Sequence, residues 1–127
     1  MRQLVRLFLL LEAASFAAAS LVHGGILLTG YQHAAASTAE GSIAILLLAG
    51  FALTWLWPMR TRLLGLAAQT AALLGTLVGV FTIAIGIGPR TAPDVTYHVA
   101  ILAVLVWGLV VAARMPTSDT RPVTPAR

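Results

Sequence analysis

Four apolar stretches, about Phe8 to Thr29, Thr38 to Trp57, Leu63 to Gly88 and Val95 to Ala113, take up most of this 127-residue chain, and its arginines sit at alternate ends of them. A helix rises about 1.5 Å per residue, so roughly 20 residues cross a hydrocarbon core of about 30 Å, and each stretch is long enough to do so. Composition argues against the alternative of a soluble four-helix bundle: 59% of residues are hydrophobic and 9% charged, where ordinary globular chains carry roughly a quarter charged residues. The sequence predicts an all-α integral membrane four-helix bundle over residues 1–114. Residues 115–127, rich in Pro, Ser and Thr, lack the apolar content to fold and are expected to form a disordered cytoplasmic tail.

Orientation follows from the basic residues, which are enriched in cytoplasmic loops. Arg2 and Arg6 precede the first stretch, Arg60 and Arg62 lie between the second and third, and Arg114, Arg121 and Arg127 follow the fourth; only Arg90 falls on the other side. This predicts a cytoplasmic (inner) membrane protein with both termini in the cytoplasm and the loops near Tyr31 and Arg90 outside. A secretory signal is the rival reading of the first stretch, with Ala17 to Ala19 imitating a cleavage site; Glu12 and the apolar run on to Leu28 argue against it. The arginines are accounted for by topology and form no basic stripe with interleaved aromatics, so no nucleic-acid partner is expected despite a pI near 11.2. Without cysteine, neither disulfides nor thiolate metal sites can form.

A shift of 56 residues, which takes Arg6 to Arg62, aligns the first two stretches with the last two without a gap. Leu7 then falls on Leu63, Leu21 on Leu77, Gly30 on Gly86 and Ile45 on Ile101. Two readings are open: coincidence in an Ala- and Leu-rich chain, or a tandem duplication of a helical hairpin. The short connections favour up-down-up-down order, with the first and fourth helices adjacent. Gly75-x-x-x-Gly79 in the third stretch permits close approach of two helix backbones, within the bundle or in a homodimer.

Glu12 is the most costly residue, because an ionised carboxylate in hydrocarbon costs at least about 2.5 kcal/mol unless it is paired or protonated. At about 100° per residue, Glu12, Ser15, Ala19 and His23 share one side of a helix, which should face the other helices. Glu12 and His23 are then about 16 Å apart along the axis, too far for contact. Gln69 lies at a similar depth on the third helix and is the expected hydrogen-bond partner. The set Glu12, Gln69 and His23 reads as proton-handling residues, as an interhelical polar clamp, or as a Glu12 close enough to the inner surface to reach water.

His23, followed by Gly24 and Gly25, and His98 stand on helices expected to be neighbours near the outer side. Imidazoles on two membrane helices suit axial haem ligation, and neutral imidazole also suits a divalent metal. Adding Asp94 and Glu40 gives a candidate metal set of His23, His98, Asp94 and Glu40. The competing reading assigns both acids to helix caps, because Ser37-x-x-Glu40 and Thr91-x-x-Asp94 have capping-box spacing. Asp94 and His98, at i and i+4, face the same way, so the acid can orient the imidazole. His33 reads as a solvated loop residue. Arg90 is a candidate partner for Asp94, Glu40, an anion or a lipid headgroup.

Phosphate-binding glycine loops, H-E-x-x-H and G-x-S-x-G are all missing from the sequence. The leading expectation is an accessory or interaction subunit, in contact with the bilayer and with another membrane protein or a second copy; whether it is also an enzyme is left open. The alternatives are a haem- or metal-binding redox protein using His23 and His98, and a proton or small-solute pathway using Glu12 and His23.

Overall fold

The computed structural model describes residues 1–116, and the expected disordered tail lies outside the described residues from 117 onward. Four α-helices account for nearly all of it: α1 (Arg2–His23), α2 (Ala34–Leu56), α3 (Thr61–Ala84) and α4 (Ala92–Ala113), with one 3-10 turn, Pro58–Arg60, before α3. Each is long and apolar enough to cross a membrane. Among the described residues there is no strand.

The helix ends have local causes. α1 stops at His23 rather than Thr29 because Gly25 takes up a left-handed φ of 74°. Its N–H then donates to the Val22 carbonyl, and that of Ile26 to Leu21, a pattern that satisfies the last helical carbonyls. α3 ends the same way: Gly86, at φ 89°, donates to Ile83 and Ile87 donates to Thr82. Apolar sequence continues past both glycines, which is why hydropathy overruns the helix. α2 stops before Pro58, whose ring disfavours helical backbone at Trp57. Thr91 caps α4 in a full capping box with Asp94.

The first helix therefore lies about six residues nearer the N-terminus than its apolar run suggests, from Arg2 instead of Phe8. Glu12 becomes its central residue, with no exposed surface, and His23 becomes its last. That burial argues against the alternative in which Glu12 reaches water.

Each helix packs on the next, and α1 also packs on α4 and, across the centre, on α3. Val5, Leu9 and Phe16 of α1 meet Leu47, Ala72 and Leu105 in one buried core. Small residues set the spacing, as in membrane helix pairs: a Cβ on Gly50 would lie 2.7 Å from that of Ala68, and one on Gly65 would lie 2.6 Å from Val5 Cγ1. Gly75 makes room for Ile43 of α2, and Gly79 faces His98 of α4, so both glycines of that motif are used inside the molecule. The outer surface is apolar, with Ile45, Leu74, Phe81 and Trp107 all more than half exposed. In water such a surface would aggregate, whereas hydrocarbon accommodates it.

Candidate functional site

Polar side chains are buried at three levels. Near the N-terminus, Arg6 donates from Nε to Thr54 Oγ1 at 3.1 Å and from its terminal nitrogen to the Thr54 carbonyl at 2.6 Å. Its guanidinium also lies 3.8 Å from the Trp55 ring centroid. This arginine, which the sequence reading used for topology and for the repeat, ties the start of α1 to the last turn of α2. A cation there is favoured by the negative end of the helix dipole.

At mid-height, Gln69 Nε2 donates to both carboxyl oxygens of Glu12, at 3.2 and 3.3 Å, and neither residue has exposed surface. The expected partnership is thus present. α4 makes room with Gly108: a Cβ there would lie 2.5 Å from Glu12 Oε1, 3.1 Å from Phe8 Cδ1 and against Gln69 Nε2. Among the described residues Gln69 Oε1 is buried without a partner. Amide oxygen and nitrogen are assigned from the hydrogen-bond network, so a half-turn of the amide lets the pair serve either protonation state of Glu12. As an anion Glu12 accepts from the NH2; as an acid it donates to the carbonyl.

The third level joins the end of α1 to the first turns of α2 and α4. His23 Nδ1 lies 2.7 Å from Glu40 Oε2, and its Nε2 lies 3.1 Å from Asp94 Oδ1. Asp94 is held in turn through Oδ2, which accepts from the Thr91 N–H at 2.9 Å and from its hydroxyl at 2.5 Å. One carboxylate therefore caps α4 and grips α1. His98 does not use that carboxylate. Its Nδ1–H donates to the Asp94 backbone carbonyl at 2.7 Å, and its Nε2 lies nearest Gly79 of α3. Tyr97 stacks edge-on against Phe16 and His98, with its hydroxyl buried and unpartnered.

Several sequence readings change here. Glu40 caps no helix, because α2 begins at Ala34 with His33 as its N-cap, accepting from Ala36 N–H at 3.2 Å. Ser37 instead exchanges hydrogen bonds with Ser20: each hydroxyl donates to the other's carbonyl, at 2.9 and 2.8 Å, and α1 is fastened to α2. His33 also donates from Nε2 to the Ile87 carbonyl at 3.2 Å, so it belongs to the packing of the loops. Arg90 pairs with neither acid but donates to the Ile83 and Ala84 carbonyls at 2.9 and 3.1 Å, capping α3. Gly24 lies against Ser37 of α2, and the Gln32 side chain covers Gly25.

With His23 engaged on both nitrogens, axial ligation by that residue competes with two carboxylates. Among the described residues no group of three or more His, Asp or Glu side chains converges in a way that could hold a metal ion. Comparison with protein-family models, with curated proteins and with solved structures finds no match to this chain.

Proposed function

We propose that this protein is an accessory or interaction subunit of the cytoplasmic membrane, in which the intramembrane polar residues hold the helices in register. The observation that carries this reading is the separation of the polar levels. Between Glu12 and His23 lie Ala13, Phe16, Leu47, Ala72 and Leu105, all buried. A proton or solute route would need polar groups or water through that layer. Thr76 is polar and close to it, but its hydroxyl donates to the Ala72 carbonyl.

In this reading the helices run up-down-up-down with both termini in the cytoplasm, supported by the seven arginines at that end. The chain is also a duplicated hairpin. Buried Val5, Leu9, Ala13 and Phe16 recur 56 residues later as buried Thr61, Gly65, Gln69 and Ala72. Buried Glu40, Leu47, Gly50 and Thr54 recur 58 residues later as buried His98, Leu105, Gly108 and Ala112. The second hairpin is then longer by two residues, and Glu40 corresponds to His98, not Ser42 to His98 as the gapless alignment has it.

The test is purification from native membranes in mild detergent, followed by reconstitution and a visible absorption spectrum. A membrane protein partner at fixed stoichiometry, no proton flux above empty liposomes and no Soret band are expected. A solitary monomer whose flux falls in Glu12→Gln would replace this reading with the pathway. A Soret band lost in both His23→Ala and His98→Ala would replace it with the redox protein.

A further inference from the structure

Where α1 begins and α2 ends, Arg2, Gln3 and Arg6 share an open groove of about 540 Å³ with Trp55 and Pro58. Arg6 is the unusual residue there, because topology asks only for exposed basic side chains, and this one is 7% exposed. Thr54 takes its Nε and one terminal nitrogen, and Trp55 lies against its face. The other terminal nitrogen, Nη1, has no partner among the described residues and is not sealed from the groove. These neighbours satisfy hydrogen bonds but supply no countercharge. The carboxylates among the described residues stand elsewhere, Glu12 at mid-height and Glu40 and Asp94 at the far end of α1. Arg2 is exposed, with its guanidinium 3.7 Å from the Met59 sulfur, and is equally without an acid. No side chain caps the first turn of α1 and no acid stands in it, so the positive end of that helix dipole also opens on the groove.

A largely buried cation without a counterion calls for an anion, since an uncompensated buried charge is costly. The level of the groove in the membrane selects the source of that anion. Trp55 and Trp57, both exposed, mark the interfacial depth at which lipid phosphates lie. Toward the middle of the bundle the same helix faces turn apolar: Leu10, one turn beyond Arg6, and Leu48, two turns before Trp55, are both exposed. A molecule with a phosphate at one end and hydrocarbon at the other matches both parts of this surface. We infer that the groove binds an anionic phospholipid, its phosphate held by Arg2 and by Arg6 Nη1 at the start of α1 and its acyl chains lying on the apolar faces beside Leu10 and Leu48. Arginine suits this task because its N–H groups match the geometry of phosphate oxygens. The site requires only that α1 and α2 cross a bilayer, so it does not depend on the protein having a partner subunit.

The full chain carrying Trp57→Phe and Trp107→Phe keeps Trp55 as its one tryptophan, a fluorophore in the groove itself. In bilayers that mix phosphatidylglycerol with phosphatidylcholine, with one or the other brominated on its acyl chains, quenching of Trp55 reports which lipid lies beside it. Phosphatidylglycerol should be preferred at least roughly tenfold, and Arg2→Gln and Arg6→Gln should each lower that preference roughly fivefold, the contribution of one arginine beside anionic lipid. Arg114→Gln removes the same charge from the same end but outside the groove, and should leave the preference unchanged. Arg2 is exposed and bonds only Met59 among the described residues, so Arg2→Gln carries the test if Arg6→Gln does not fold. A loss in Arg114→Gln equal to that in Arg2→Gln would reduce the site to diffuse attraction by a basic surface and overturn the assignment. Equal quenching by the two lipids would overturn it as well, including the case in which inorganic phosphate alone binds saturably and shifts Trp55 emission.

Discussion

Replacing Glu12 by leucine leaves Gln69 Nε2 without its acceptor in the driest part of the protein, and such an orphaned group costs about 1–3 kcal/mol. Glu12→Gln keeps an acceptor and a similar shape, so its unfolding midpoint in detergent should stay close to that of the parent while that of Glu12→Leu falls clearly below it. Equal midpoints for the two variants would mean that the pair does not clamp α1 to α3. Gly108→Ala should also destabilise, by about 1–3 kcal/mol, because its methyl group has no room beside that pair. The pairing of Glu12 with Gln69 was legible from matching depth on two spans. The need for Gly108 was not, because a glycine's neighbours on other helices leave no trace in its own flanking sequence. Likewise the sequence grouped Glu40 with His23 as a candidate metal ligand, but not as its hydrogen-bond partner across a turn of ten residues, 24–33.

At the scale of elements, the chain's helix signals divide into those that act locally and those that tertiary packing overrides. Thr91-x-x-Asp94 was read as a capping box and is one, since its partners are three residues apart and Pro93 is already suited to a first turn. Ser37-x-x-Glu40 has the same spacing but lies inside α2, where Ser37 finds Ser20 and Glu40 finds His23. Thr91→Ala should cost about 1 kcal/mol through the lost cap. It also leaves Asp94 Oδ2 with the backbone N–H of residue 91 as its one remaining donor, so amide exchange should quicken in the first turn of α4 and in the last turn of α1. Thr91→Ser should restore both. Faster exchange confined to α4 would show that Asp94 does not transmit its restraint to His23.

For the whole molecule, the proposed topology is testable without background labelling because the chain has no cysteine. Single cysteines at Gly30 and Pro89 should react with a membrane-impermeant maleimide added to intact cells, and one at Met59 should react only after lysis; the reverse pattern would invert the protein. If the molecule is two related hairpins, fragments 1–59 and 60–127 expressed together should reassemble into a complex that co-purifies, and failure of either to be retained by the other would count against that architecture. The number of spans and the all-helical class were determined by the sequence alone, because length and hydropathy act on each segment separately and the bilayer demands that every backbone polar group be satisfied within it. Which end of each apolar run is helical was decided by Gly25, Gly86 and Pro58 through backbone geometry, to which hydropathy is blind. The sequence grouped His23, Glu40, Asp94 and His98, but only the tertiary structure set both acids on His23 and turned His98 Nε2 toward Gly79. Contacts between helices depend on rotation and axial offset, and those follow from the summed packing of small residues such as Gly50, Gly65 and Gly108, not from any one of them.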